Sequence, residues 1–304
     1  MKCYWGIACL LLLCRTLNLE AQGPSDSLQM VQWYQEGVAL KRIQKFDSAR
    51  IYFDRVHAIA LPNQYWLHYF KVEKQYARFL RDIDYQPFEA IEKLDSLIPL
   101  AEQRLGPKAV ETGELYEVRA NTYNLAGQYA LAFQDYLQSL SIRREVFGNT
   151  HQRVAASYLN LGPLFLSHQQ PEKAIRYAQL GIDILKQEKR YPVSFLSNAY
   201  TWQGVAYDKL GQYEASETSY NQAYQILAEN KLLERSATFS LYLHQTRLAI
   251  HQQEYEQAQQ YLERAQAFAK RNLKAEDHHL NRMYIMEAEL AMAQQEYQRA
   301  ENAA

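Results

Sequence analysis

Apolar and small residues return along this chain at a nearly constant interval. With Phe46, Pro87, Tyr129, Pro171, Tyr213, Tyr255 and Tyr297 as anchors, the first step is 41 residues and the next five are 42 each. Three residues after the anchors stand Ala49, Ala90, Ala132, Ala174, Ser216, Ala258 and Ala300. Thirteen before them stand Trp33, Tyr116, Tyr158, Tyr200, Tyr242 and Tyr284, and nine before them Gly37, Ala120, Gly162, Gly204, Thr246 and Ala288. The aromatic and the small residue of each pair are four apart, so they share one face of a helix. The small residue lets two backbones approach, and the aromatic fills the neighbouring groove. Each interval is therefore predicted to be a helix, a tight turn and a second helix. Glycine ends the first helix in Leu125-Ala126-Gly127-Gln128-Tyr129 and in Leu210-Gly211-Gln212-Tyr213, where a left-handed residue stops the helix at little cost. Gln169 and Gln253 take that place elsewhere. One hairpin cannot bury its apolar face alone, but a stack of them can.

The pattern predicts an all-α protein, a right-handed superhelical α-solenoid of about seven helix-turn-helix repeats. The repeats are placed at about 28–62, 63–106, 107–150, 151–190, 191–232, 233–274 and 275–304. The second departs from the pattern. Lys74 stands where an aromatic is expected and Arg78 where a small residue is, so its first helix carries less of the signal than its second. In the fourth, Pro163 follows Gly162 inside a helix. Interior proline removes a hydrogen bond, and a kink is expected there. The second helix of the seventh repeat has room only for Tyr297–Ala304. That suggests either an incomplete chain or a last segment fused into one capping helix, and the first reading is the one taken.

The pattern of Trp or Tyr, a small residue, an aromatic and Gly-x-Tyr-x-x-Ala resembles tetratricopeptide repeats over most of the chain. Their usual period is about 34 residues, so a period of 42 resembles the long-repeat branch that includes kinesin light chain. Ser141-Ile142-Arg143-Arg144-Glu145-Val146-Phe147-Gly148-Asn149-Thr150-His151, followed by Ser157-Tyr158-Leu159-Asn160-Leu161-Gly162, is the stretch most similar to it. The resemblance implies a scaffold whose first helices line a concave groove for a protein or peptide. Read twelve, eight and five residues before the anchors, the groove positions are Glu117, Asn121 and Asn124, then Leu159, Pro163 and Leu166, then Thr201, Val205 and Asp208. Leu243, Arg247 and Ile250 follow, and then Ile285, Glu289 and Met292. Asn amides both donate and accept, as a peptide backbone requires. Similar arrays in exported bacterial proteins precede CHAT protease-like or histidine kinase domains. The alternative function is therefore a sensor or regulatory region of such a larger protein.

Composition narrows the picture. Scarce glycine and proline (11 and 8) favour helix, and a formal net charge of −1 offers no single-sign field for nucleic acid. Cys3, Cys9 and Cys14 all lie within an N-terminal segment where Lys2 precedes an apolar run from Tyr4 to Cys14. That arrangement reads as a signal peptide over 1–21, cut after Leu19-Glu20-Ala21, with a short linker at 22–27. The run is too short to span a bilayer, which takes about 20 apolar residues. Leu13 stands where lipidation of Cys14 wants a small residue, which argues against a lipoprotein. The expectation is an exported protein, periplasmic or extracellular, with no membrane span after cleavage and no cysteine left for thiol chemistry.

Nothing in the residues calls for catalysis, a cofactor or a metal. His278 and His279 are adjacent and point apart on a helix, while His244 and His251 lie seven residues apart, about 10 Å along a helix. His151 sits in an inter-repeat turn. Asp82 with Asp84 reads as capping, and Glu287 with Glu289 faces two ways. Phosphate-cradling loops, nucleophile elbows and zinc-protease motifs are absent from the sequence. The tyrosine column reads as core, and Lys41-Arg42 and Arg143-Arg144 as solvated helix ends.

Overall fold

The computed structural model describes residues 24–187, 191, 193–234, 236–273 and 279–303. The expected signal peptide, the three cysteines and His278 lie outside them. Among the described residues the chain is all helix, with no strand. It divides into two compact units, Met1–Val146 and Phe147–Ala304.

The first unit holds three hairpins. They are α1 (Pro24–Arg42) with α2 (Phe46–Ala60), α3 (Trp66–Asp82) with α4 (Pro87–Leu105), and α5 (Val110–Leu125) with α6 (Tyr129–Phe147). The second unit holds α7 (Gln152–Ser167) with α8 (Pro171–Gln187), α9 (Val193–Lys209) with α10 (Tyr213–Glu229) and α11 (Ser236–His251) with α12 (Tyr255–Asn272). One long helix, α13 (His279–Ala303), ends it. In the first unit the first helices pack on each other, α1 on α3 and α3 on α5, while α2 and α4 each pack on the first helix that follows. The second unit repeats the scheme: α9 packs on both α7 and α11, α11 also packs on α13, and α8, α10 and α12 each pack on the next first helix.

The columns of the sequence are the core. Ala49, Ala90, Ala132, Ala174, Ser216 and Ala258 are all buried, and so are Phe53, Leu94, Tyr136, Ala178, Tyr220 and Leu262 four residues later. Burying each large side chain contributes roughly 1.5–3 kcal/mol. Ser216 is tolerated in the alanine column because its hydroxyl donates to the Gly204 carbonyl at 2.9 Å.

The turns share one device. Two residues before each of six anchors the backbone is left-handed: Gln44 (φ 58), Tyr85 (φ 55), Gly127 (φ 74), Gln169 (φ 54), Gly211 (φ 71) and Gln253 (φ 63). The next N–H reaches back into the last helical turn, as from Gln128 to the Tyr123 carbonyl and from Gln212 to the Tyr207 carbonyl. This is the Schellman closure, which satisfies otherwise orphaned carbonyls. Pro87 and Pro171 open their helices, where the missing N–H costs nothing.

Three expectations are corrected. The second repeat has its small residue after all. Its turn is one residue longer, since Gln86 N–H bonds the Leu80 carbonyl, six residues back, whereas Gln128 reaches only five, to Tyr123. Its first-helix columns are therefore displaced by one. The fully buried Ala77 fills the small position, and buried Glu73 takes the aromatic one. Helix α1 starts at Pro24, inside the stretch expected as a linker, because proline at a first turn and Asp26 just after it suit a helix N-terminus. Helix α7 spans Gln152–Ser167 with Pro163 inside it, so the proline does not end the helix. The seventh repeat has no second helix at Tyr297: α13 continues through the place where the other repeats turn, with Gln295 helical.

Candidate functional site

The longer turn of the second repeat also moves its groove positions. They are Lys74, Arg78 and Arg81, three cations in a row on α3. The equivalent positions of the first repeat are Tyr34, Val38 and Lys41 on α1. Lys41 Nζ donates to Gln75 Oε1 at 3.1 Å and lies 5.2 Å from the centre of the Phe79 ring. Gln75 Nε2 in turn donates to the Tyr34 hydroxyl at 2.9 Å. Burial pushes the Lys41 amine down to about 8, and Arg78, Arg81 and Lys74 push the same way against Asp82. Burial is the larger cause, and the three neighbouring cations add to it.

Partners for the other cations are unequal. Lys74 pairs with Glu114. Arg81 holds Asp82 through Nε and Nη2, at 2.6 and 2.9 Å, while its Nη1 is buried with no partner among the described residues. Arg78 makes no ion pair among the described residues and is half-buried. Positive charge is thus gathered on α1 and α3, with half-buried Arg78 left without an ion pair among the described residues.

The groove residues read from the sequence fare less well. Glu117 pairs with Arg143. Asn121 is committed inside the protein, its amide nitrogen donating to the Glu117 carbonyl at 2.7 Å and its oxygen accepting from the Tyr136 hydroxyl at 3.0 Å. Asn124 is half-buried, its Oδ1 without a partner among the described residues. In the second unit Leu159, Leu166, Thr201, Asp208 and Leu243 are buried, so they are packing residues and not a ligand surface. Leu159 shows why: its Cδ2 lies 2.4 Å from where a Cβ on Gly181 would be, so it plugs a notch in α8. Arg247 is bound to Glu289 at 3.0 and 3.2 Å, and half-buried Ile250 packs against the core cluster of Phe239, Leu243 and Leu262.

Several bland readings change too. Lys41 is half-buried and Arg143 is buried, so neither is a solvated helix end. Asp84 binds Arg50 at 2.6 and 2.7 Å and Asp82 binds Arg81, so neither caps a helix. His151 Nδ1 accepts from the Arg153 N–H at 3.1 Å, an N-cap for α7. His244 is buried and His251 Nδ1 lies 2.7 Å from Asp208 Oδ1. Among the described residues no group of three His, Cys, Asp or Glu side chains is placed to hold a metal, and no helix is long and apolar enough to cross a membrane. The cationic rung escaped the sequence reading because columns were counted back across a turn of assumed length. Ala77 and Leu80, each one place earlier than the count required, were the signal available.

Comparison with known proteins agrees with this architecture. Residues 111–187 and 197–228 match tetratricopeptide repeat models. No curated protein matches the sequence. Among solved structures, the putative kinesin light chain repeats of Podosopora anserina are 19% identical, with a TM-score of 0.54 over 67% of this chain and 97% of that one. A tetratricopeptide repeat protein from Parabacteroides merdae is 15% identical, with a TM-score of 0.55 over 90% of each chain. A Rap protein complexed with competence and sporulation factor is 13% identical, with a TM-score of 0.60 over 92% of this chain and 80% of that one. The chain carries tetratricopeptide repeats, and its fold is that of tetratricopeptide and kinesin-light-chain-like proteins.

Proposed function

We propose that this chain is an exported tetratricopeptide scaffold that holds an acidic segment of a protein partner against α1 and α3. The observation that carries the reading is the crowd of Lys41, Lys74, Arg78 and Arg81, whose charge Glu114 and Asp82 only partly balance. An acidic peptide supplies the missing acceptors, and the half-buried Tyr34 hydroxyl, which accepts from Gln75, keeps its own proton to donate to a peptide carbonyl. The Rap protein of like fold was captured with a bound factor, which supports a holding role for such a scaffold. Export is supported by Lys2 and the apolar run before Ala21.

The test is fluorescence anisotropy with a labelled Asp/Glu-rich peptide and a neutral peptide of equal length. The acidic peptide should bind, more weakly as salt rises, and Arg78→Glu should weaken it about tenfold or more, the equivalent of ~1.4 kcal/mol. Equal binding of both peptides, or an unaffected Arg78→Glu variant, removes the proposal. For export, the N-terminus of protein recovered outside the cytoplasm should be Gln22. Protein found only inside and beginning at residue 1 removes that part.

A further inference from the structure

One place in the repeated hairpin is filled by the chain itself in the third and fourth repeats and is an open furrow in the fifth. In the third repeat the Arg119 guanidinium lies against two rings of its own helix, 5.5 Å from the centre of Tyr116 and 5.7 Å from that of Tyr123. Asp95 and Asp135 hold it there. In the fourth, Tyr158 and Phe165 stand at the equivalent positions. The ring of Tyr177, from α8, is stacked on Phe165 at 5.1 Å and 11° and tilted against Tyr158 at 6.1 Å. In the fifth, the two rings are Tyr200 and Tyr207 on α9, and the equivalent of Tyr177 is Ser219 on α10. The short side chain leaves a furrow of about 520 Å³, lined among others by Tyr200, Tyr207, Gln179, Gln203 and Ser219. That volume lies within the ordinary range of small-molecule sites. The sixth repeat has a tyrosine at this position again, Tyr261.

The furrow is also polar where its neighbour is not. Gln203, 6% exposed, takes the place of the fully buried Leu161 of the fourth repeat. Its hydrogen bonds run in one direction. The Asp183 carboxylate can only accept, and it takes a proton from Gln179 Nε2 at 2.7 Å. Gln179 Oε1 in turn accepts from Gln203 Nε2 at 3.1 Å. Ser219 spends its proton on the Ala215 carbonyl at 2.8 Å. The oxygens left over, Gln203 Oε1 and Ser219 Oγ, offer lone pairs and need a donor. We infer that this furrow is a binding site for a phenol: a flat ring to pack against Tyr200 and Tyr207 as Tyr177 packs in the fourth repeat, with a hydroxyl proton for the waiting oxygens. A guanidinium, which fills the third repeat, does not suit the fifth. Gln179 and Ser219 stand where Asp95 and Asp135 would neutralise it, and the exposed Lys186 amine lies 5.6 Å from the centre of the Tyr200 ring. The phenol can be a free small molecule or the side chain of a tyrosine in a peptide. The site shares no residue with the cationic rung on α1 and α3.

The probe is 4-methylphenol, titrated into the full chain and followed by ligand-observed NMR. It should bind saturably, and 4-methylanisole, which has no proton to give, about tenfold more weakly, ~1.4 kcal/mol. Ser219→Tyr puts into the furrow the ring that Tyr177 supplies one repeat earlier and should abolish binding in a chain that circular dichroism shows to be folded. Gln203→Leu restores the residue of the fourth repeat and should weaken binding about tenfold, which keeps the test decisive should Ser219→Tyr fail to fold. Arg78→Glu should leave binding intact, which separates this result from that of the acidic peptide. Competition between 4-methylphenol and the peptide Gly-Tyr-Gly tells the two sources apart: tighter binding of the peptide assigns the ring to a protein partner, and weaker binding assigns it to a free phenol. No saturable binding, equal binding of the anisole, or undiminished binding to the Ser219→Tyr or Gln203→Leu chain overturns the inference.

Discussion

The ring of Tyr220 lies so close to the backbone of Gly204 that a β-carbon added there would sit 2.4 Å from Cε1. Gly37 stands in the same relation to Phe53, at 2.6 Å, but at Gly162 the nearest neighbour is Trp202 Cβ at 3.7 Å. One column thus holds glycines kept for two different reasons. Gly204→Ala and Gly37→Ala should each destabilise the protein by about 1–3 kcal/mol through overpacking. Gly162→Ala meets no crowding from other helices, but the Pro163 ring crowds a β-carbon on the helical residue before it, which offsets the usual gain of alanine over glycine, so stability should stay within about 0.5 kcal/mol of the parent. Urea unfolding of the three variants separates them, and a loss in Gly162→Ala as large as that in Gly204→Ala would refute the distinction.

The turn column makes a second contrast. Gly211 and Gln253 occupy equivalent left-handed positions, at φ 71 and 63. A side chain there costs roughly 1 kcal/mol. Gly211→Ala should lower stability by about that much. Gln253→Gly should gain about 0.5 kcal/mol, because relief of the strain is partly offset by a freer unfolded chain. Thermal melts of the pair suffice to check this.

Glu73 is buried on α3 between His57 Nε2, at 3.0 Å, and Lys93. Burial alone would raise its pKa, but the His57 hydrogen bond and the Lys93 charge outweigh it and hold the carboxyl below its ordinary 4.5. A depressed carboxylate contributes stability that is present above 4.5 and lost as pH falls through the folded value. Glu73→Gln should cost about 1–3 kcal/mol at pH 7, and the gap to the parent should narrow below pH 4.5. A constant gap from pH 7 to pH 3 would show that Glu73 is not the titrating group.

His244 and His251 share α11 and should titrate in opposite directions. The Asp208 hydrogen bond raises His251 against the opposing effects of burial and Arg247, with Glu289 adding a smaller upward push. Burial, with Arg282 and Arg247 nearby, pushes His244 down to about 3. The contribution of His251 is therefore full below 6.5 and disappears as pH rises through its folded value. His244 acts the other way: from 6.5 down toward 3 the unfolded chain takes a proton that the folded one refuses, so stability drops. Imidazole NMR signals should show one histidine moving above 6.5 and one flat from pH 8 to 4. Asp208→Asn should bring the former down.

Lys41 gives the groove a pH signature. Its amine titrates near 8 because burial and Arg78, Arg81 and Lys74 disfavour the charged form. An acidic peptide seated beside it favours that form, so binding takes up a proton and affinity must fall as pH rises through 8. Calorimetry in buffers of different ionisation enthalpy reads the uptake directly. Zero uptake near pH 8 would place the peptide away from Lys41.

Much of this architecture was legible in the sequence because the same contact recurs. A small residue buried on the first helix recurs with a buried residue four places after the alanine or serine of the second, as at Gly37 with Phe53 and Gly204 with Tyr220, and the spacing records it. What escaped was whatever the spacing could not carry. The single extra residue in the turn ending at Gln86 leaves no mark in composition, yet it exchanges Arg78 for Ala77 in the core and turns a missing column into a charged rung. Likewise, Leu159 and Asp208 were assigned to a groove by position, and only packing reveals that one plugs the notch at Gly181 and the other holds His251. Periodicity specifies which residues are equivalent, whereas exposure depends on the neighbours each one meets.

The equivalence of the anchors has a consequence for how such a chain can change length. Excising residues 171–212 would join Gln170 to Tyr213 and leave Gln169 in the left-handed place ahead of a new anchor, with every junction between helices of a kind already present. Each hairpin leans only on its immediate neighbours, so genetic recombination could delete or duplicate one such module in frame without redesigning any other.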